Sequence, residues 1–334
     1  MRIGNFDTDK RVFVIAEIGN NHEGDFTLAQ EMIGRAAEAG VDAVKLQTFV
    51  PESYVSCSDP ERLERLHKFE LAKTDIEVLS KQASECGLIF FSTPFDIESA
   101  HFLNSFQPIF KIASGDNNFF PLIDVVASFE KPTLISTGLA NLDLLDKLYR
   151  KWDQKADKLN LAFLHCVASY PVPNEQANLG AIATLKRRYP DITIGYSDHT
   201  LGIDAAIYAV AAGAKIIEKH FTIDKKYSDF RDHQLSAEPS EMKTLVEKVR
   251  KLETLLGSGE KKPQPCEVSL ETAMRRSIAV VRDIPKGTIL RLDDLTWVRP
   301  GNGLPIGNEH LVIGKLLNRN LQRGEIIFPE ILSG

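Results

Sequence analysis

Short runs of Val, Ile, Phe and Leu alternate along the chain with longer stretches whose apolar residues recur at helical spacing. The runs VFVIAEI (12–18), DAVKLQTF (42–49), LIFFSTPF (88–95) and IFKIAS (109–114) predict strands, as do PTLISTG (132–138), LNLAFLHC (159–166), ITIGYS (192–197) and AKIIEKHF (214–221). Between them, stretches such as FTLAQEMIGRAAEAG and TDIEVLSKQASECG keep a helical period and close on glycine, a normal C-terminal stop. The strands are apolar on both faces, as a parallel sheet covered by helices requires. Eight such units over residues 1–257 predict a (β/α)8 barrel whose last helix spans 239–256. A doubly wound open sheet shares the same alternation, but it usually has fewer strands, and no GxGxxG follows the first strand.

After residue 257 the texture changes. Residues 258–271 hold prolines and a glycine without periodicity and read as a linker. Residues 272–334 show short strands punctuated by PKG, RPGNG and QRG, predicting a small β-rich module with a thin core that would gain from docking on something.

Composition narrows the partners. Lys and Arg total 40 against 46 Asp and Glu, a formal charge of -6, which argues against a broad basic nucleic-acid surface. No apolar run approaches the length of a membrane span, and the N-terminus lacks the apolar core of a signal peptide. The four cysteines lie far apart with no CxxC pair, so a reduced, cytoplasmic setting is expected.

In a barrel the chemistry sits at the C-terminal ends of the strands. Nearly every predicted strand ends in polar groups: Glu17, Lys45 with Gln47, Ser92 with Thr93, Lys111 with Ser114, and Ser136 with Thr137. His165, Ser197-Asp198-His199 and Glu218-Lys219-His220 complete the set. Any one could be a satisfied buried group; together they point to a charged, polar ligand at the mouth. Lys45 and Lys111 with short hydroxyl donors suit phosphate and carboxylate held together, unless each lysine simply pairs with Glu17 or Asp116. His199 and His220 stand 21 residues apart, as one barrel repeat would space them, and could share a divalent ion or act as acids or structural donors. His22 has similar access without an obvious partner. Asp116 reads equally as a loop cap or a substrate ligand. Tyr170 opens a YPVP stretch whose first duty could be loop stiffness. Residues 227–233 (YSDFRDH) are either a solvated loop or a ligand wall through Asp232 and His233, and Arg299 before Pro300 reads most simply as a surface arginine.

These residues resemble the sialic acid synthase family, which includes legionaminate, pseudaminate and spore coat polysaccharide synthases. The resemblance is carried by IAEIGNNHEGD (15–25), VKLQTF (44–49), STPFD (92–96), FKIASGD (110–116), STG (136–138), HCVASYPVP (165–173), GYSDHT (195–200) and IEKHFTID (217–224). RRSI (275–278) and RPGNGLPIG (299–307) resemble the antifreeze-like (SAF) domain that ends such enzymes. The resemblance implies condensation of phosphoenolpyruvate with an open-chain N-acyl amino sugar and water. It assigns phosphoenolpyruvate to Lys45, Thr93, Lys111, Ser114, Ser136 and Ser197. It assigns a divalent metal, Mn²⁺ first with Mg²⁺ or Co²⁺ as alternatives, to His199 and His220. Glu17 and Asp116 would be the catalytic acids beside Lys45 and Lys111, with Gln47, Asp116, Tyr170 and Asp232 around the sugar. Arg299 would come from the partner in a domain-swapped homodimer. The chain departs from the family pattern at Ala168, at Asp116, where several members carry glutamate, and in FRDHQLSAEP, all on the sugar side. Another phosphoenolpyruvate-dependent aldose condensation, a non-catalytic sugar-phosphate binder, or a free antifreeze role for the last domain are the rival readings.

Overall fold

The computed structural model describes residues 1–333. Eight parallel strands form the sheet: β1 (Phe13–Gly19), β2 (Ala43–Thr48), β3 (Ile89–Pro94), β4 (Phe110–Ile112), β5 (Thr133–Ser136), β6 (Leu161–His165), β7 (Thr193–Asp198) and β8 (Ile216–His220). Their spatial order is β3-β2-β1-β8-β7-β6-β5-β4, and β3 and β4 at its two ends pack against each other, so the sheet curls into a barrel. Helices α1 (Phe26–Glu38), α2 (Pro60–Phe69), α3 (Lys73–Glu85), α4 (Ile97–Leu103), α5 (Phe120–Ser128), α6 (Leu142–Asp153), α7 (Gly180–Arg188), α8 (Asp204–Ala211) and α9 (Pro239–Leu256) lie between and after the strands. The last helix has the bounds the sequence predicts and starts in a capping box between Glu238 and Glu241.

The two faces of each strand feed two cores. Val14, Ala16, Val44 and Phe90 turn outward and pack with helix residues such as Met32, Ile33, Leu79 and Leu245. Phe13, Ile15, Phe91, Leu134, Leu164 and Ile216 turn inward and fill the barrel toward the amino ends of the strands. A hairpin of Arg2–Ile3 against Phe6–Asp7, which the apolar pattern does not predict, adds buried Ile3 to that cluster. With Phe6 at 4.8 Å from the Phe13 ring, it closes the barrel from below. The open end is therefore the carboxyl end.

A second difference is the excursion after β2. A helical turn (Pro51–Tyr54) and α2 precede the regular barrel helix α3. The apolar side of this arm, Tyr54, Leu66 and Phe69, packs with Phe49, Phe95 and Phe230 in a separate aromatic cluster.

The chain divides into two compact units, Met1–Gly257 and Ser258–Gly334. The second unit pairs Ser277–Val280 with Leu295–Val298 and Leu316–Leu317 with Leu332–Ser333, around a core of Ile278, Val280, Leu290, Leu295, Leu317 and Ile327. The segment read as a linker, 258–271, carries a 3-10 helix, Pro265–Leu270, and a helical turn, Glu271–Met274, starts at its end. Gln264 caps the former reciprocally with Glu267, which the loop-like composition conceals. No helix among the described residues is long and apolar enough to cross a membrane.

Candidate active site

Parallel strands end in register at the open mouth, so inward residues of neighbouring strands meet. Glu17 is the register partner of Lys45 on one side and of His220 on the other, and Ser197 partners Glu218. They line one cavity of about 1300 Å³ together with Gln47, Thr93, Lys111, Ser114, Ser136, Tyr170, His199 and Asp232. Asp116 does not line it. Asp116 follows the lining residues Ser114 and Gly115, with its Oδ2 buried and without a hydrogen-bond partner. Arg299 belongs to the second unit, where its Nε donates to the Met274 carbonyl at 2.9 Å.

Period two also sorts the strand-end residues that the sequence groups together. Asp198 and Lys219 turn away from the cavity, are wholly buried and pair at 3.1 Å. His165 turns to the Ala177 carbonyl at 2.9 Å, and Ser92 to Thr48 at 2.7 Å. His22 is buried off the cavity, its Nδ1 accepting from the Gly24 amide at 3.0 Å, so it has no access to a ligand. Alternation sends every second side chain to the helix layer, whatever its chemistry.

The cation cluster is built around a residue to which the sequence assigns no role. Lys45 Nζ lies 2.7 Å from Glu17 Oε2 and 3.7 Å from Glu218 Oε2, and Lys111 Nζ lies 3.7 Å from Glu218 Oε1. All four are buried. Burial pushes the Glu218 carboxyl up, but the two lysines and the Ser197 hydroxyl, donating at 2.8 Å, outweigh it and hold it below its ordinary value. Burial also lowers Lys45, yet its two carboxylate neighbours leave it raised, while Lys111, with Glu218 alone in ion-pair range, stays lowered. Glu17 is pushed up to about 6, chiefly by burial and partly by Glu218, against the pull of Lys45. Gln47 steadies it, donating to Glu17 Oε1 at 3.1 Å while accepting from Asn20 at 2.8 Å. Asp116 is also pushed up to about 6 by burial, with Lys111 opposing.

The hydroxyls are left free to donate. Thr93 accepts from Lys45 at 2.9 Å, Ser114 accepts from the Gly138 amide at 3.1 Å, and Ser136 Oγ is buried without a partner. Gly138 has no room for a side chain: a Cβ there would stand 2.6 Å from Ser114 Oγ. Asn117 clamps the same loop, donating to the carbonyls of Ser136 at 3.2 Å and Gly138 at 2.7 Å.

The imidazoles of His199 and His220 lie 5.3 Å apart, with Tyr170 stacked on His199 at 4.1 Å. His199 Nδ1 is fixed by the Val167 carbonyl at 3.0 Å, which leaves Nε2 as its free nitrogen. His220 Nδ1 is buried without a partner, and burial with nearby positive groups holds that ring well below its ordinary pKa, hence neutral. Burial lowers His199 too, but Cys166, 3.7 Å from Nδ1, and the Val167 carbonyl reverse this and leave it raised. Among the described residues no group of three or more His, Cys, Asp or Glu side chains is placed to hold an ion. Two imidazoles, each with a free nitrogen facing the cavity, do suit a transition-metal ion that displaces any proton from His199 and takes ligand oxygens at its other positions.

Cys166, Glu218, Asn20 and the arm residues Tyr54, Arg62 and Phe69 also line the cavity. No sequence signal marks Cys166. Glu218 stands in the sequence among the strand-end polar groups without a role of its own, and strand period places it on the same face as His220.

A parallel barrel with ammonium groups, carboxylates, hydroxyls and imidazoles gathered at one carboxyl-end cavity, followed in the chain by a separate β-rich unit, defines a barrel enzyme with a polar site. Residues 32–261 match the NeuB family and residues 275–332 the SAF domain, and the chain belongs to the NeuB family. It is 39% identical over 336 residues to the N,N'-diacetyllegionaminic acid synthase of Legionella pneumophila, covering 95% of this chain and 94% of that one. It is 35% identical to the human N-acetylneuraminate-9-phosphate synthase over 96% of this chain and 92% of the relative. The crystal structure of N-acetylneuraminic acid synthetase from Leptospira borgpetersenii, in complex with citrate, superposes with a TM-score of 0.76 at 36% identity, over 80% of this chain and 94% of that one. The chain is an enzyme, a synthase of transferase type.

Proposed function

We propose that the enzyme condenses phosphoenolpyruvate with the open-chain aldehyde of an N-acyl amino sugar and water, giving a nonulosonic acid and inorganic phosphate. The observation that carries this reading is the meeting of two buried ammonium groups, balanced by Glu17 and Glu218, with the hydroxyls of Thr93, Ser114 and Ser136 in one cavity. Such a cradle matches a small dianion better than a neutral sugar. The names of the relatives support a sugar-acid product.

Carbon 3 of phosphoenolpyruvate attacks the aldehyde carbon; the enol electron pair forms the new bond, and the carbonyl π pair moves to the aldehyde oxygen, which takes up a proton and becomes a hydroxyl. Carbon 2 becomes oxocarbenium-like. Water adds there, losing its proton to Glu17 or Asp116, both of which exchange protons near neutrality. The tetrahedral centre then breaks its bond to the phosphate oxygen, leaving the 2-keto acid. Lys45 and Lys111 offset the phosphate charge throughout, and neither is a Schiff-base nucleophile. A divalent ion on His199 and His220, Mn²⁺ by preference, would supply Lewis-acid polarisation of the aldehyde oxygen. Gln47, Tyr170 and Asp232 would contact the acceptor. Arg299 would reach it from the second subunit of a domain-swapped homodimer. The cysteines are all unpaired, which supports a reduced, cytoplasmic setting.

The test is phosphate release from phosphoenolpyruvate with Mn²⁺ across N-acetylmannosamine, its 6-phosphate and 2,4-diacetamido-trideoxyhexoses. Release that depends on one acceptor, is lost with EDTA and yields a 2-keto acid is the expected result. Failure to bind phosphoenolpyruvate at all overturns the reading.

A further inference from the structure

Three segments far apart in sequence contribute to the cavity wall: the loop after β1 with Glu23, the α2 arm with Lys68 and Phe69, and the loop after β8 with Ser228 and Phe230. They meet at Glu23. Its Oε1 accepts from the Ser228 hydroxyl and faces His233 Nε2 at 3.3 Å, and its Oε2 lies 3.4 Å from Lys68 Nζ. His233 is buried, and its Nδ1 lies 2.7 Å from the Thr222 hydroxyl. The Thr222 hydroxyl also lies 3.1 Å from the Asp224 carbonyl, so the imidazole is held between the β8 loop and Glu23.

The backbone is committed to the same junction. Glu23 adopts a left-handed φ of 47°, which a non-glycine residue holds only where its surroundings fix it. Gly24 follows with φ 83°, and a Cβ there would stand 2.0 Å from the Lys68 carbonyl oxygen. Phe69 and Phe230 add an edge-to-face ring contact at 5.1 Å between the arm and the β8 loop. No step of the condensation uses this carboxylate.

We infer that Glu23 is a positioning residue for the acceptor: with Lys68, Ser228 and His233 it latches the α2 arm to the β8 loop and holds the wall that carries Phe230 and Asp232 in one arrangement. The phosphoenolpyruvate cradle stands on other strands and does not depend on the latch. The kinetic part of this inference rests on the proposed condensation; its structural part does not.

The experiment uses the full chain and the variants Glu23→Gln and Ser228→Ala. Hydrogen exchange in segments 60–69 and 226–236 should quicken about tenfold in Glu23→Gln, as the loss of charge-assisted bonds implies, with 193–198 unchanged. With whichever of N-acetylmannosamine or 2,4-diacetamido-2,4,6-trideoxymannose is turned over, the acceptor KM should rise about tenfold while that of phosphoenolpyruvate stays within about twofold. Ser228→Ala should shift both readouts the same way by less, and it carries the test if Glu23→Gln does not fold. Unchanged exchange, loosening of one segment alone, or an equal rise in both KM values overturns the latch. If no acceptor reacts, the condensation reading fails, and exchange still decides the latch.

Discussion

Lys45 Nζ lies 2.7 Å from Glu17 Oε2, and the two residues are register partners on adjacent strands. A carboxylate so close to an ammonium would ordinarily titrate low; burial and Glu218 instead bring it up to about 6. If Glu17 takes the proton from water it must be ionised, so kcat should fall as pH drops through about 6. Glu17→Gln should lose about a thousandfold or more in kcat. Asp116 sits at the same value, and Asp116→Asn separates the two: a limb that survives this substitution belongs to Glu17.

Asp116→Asn should also act on stability. A carboxyl raised from 3.8 to about 6 adds stability below its unfolded value and loses it as pH rises through the folded one. At pH 7.5 the wild-type group is therefore a burden of about 1–2 kcal/mol after allowance for its partial exposure. The variant should melt higher at pH 7.5 and show no gain at pH 4, as thermal denaturation at the two pH values would show.

Glu218→Gln removes the charge shared by two buried ammonium groups. Breaking one partner of a buried pair costs about 3–5 kcal/mol, and the anion that binds there would restore the balance. The variant should melt well below wild type without ligand and recover more than wild type does when phosphoenolpyruvate is added.

Gly138→Ala tests the cradle at a single atom. The new methyl group would stand 2.6 Å from Ser114 Oγ and 3.1 Å from Ala168 Cβ, so Ser114 must move. The KM for phosphoenolpyruvate should rise about tenfold with the acceptor KM little changed, since one charge-assisted donor is displaced.

His199→Ala and His220→Ala should each weaken Mn²⁺ binding by at least about tenfold in calorimetry on the ligand-free protein. His199→Ala should also free Tyr170, whose ring stacks on it, and change the tyrosine fluorescence. Equal Mn²⁺ affinity in both variants and wild type would remove the metal from these imidazoles.

The barrel was readable because its strands are apolar on both faces, as in any helix-covered parallel sheet, and because eight of them recur without a GxGxxG after the first. The strand residues Glu17, Lys45, Lys111, Ser197 and His220 were readable as site candidates because they are polar groups at the ends of those strands. The pattern could not tell Lys219 from its neighbours Glu218 and His220, because facing direction depends on register, which only the folded sheet fixes. The α2 arm was missed as a wall because PERLERLHKF is mostly charged, and only Leu66 and Phe69 are buried. The amino-terminal hairpin was missed because two-residue strands carry no period at all.

The hairpin that seals the barrel floor has a consequence for how the site was free to change. Ile3 and Phe13 secure one end of the cylinder, while every residue proposed to touch a reactant on this unit lies toward the other. Foldedness and choice of ligand are thus written in separate places. The loops at the mouth, Ala168 and the stretch around Asp232 among them, can change without first renegotiating the packing that keeps the cylinder shut.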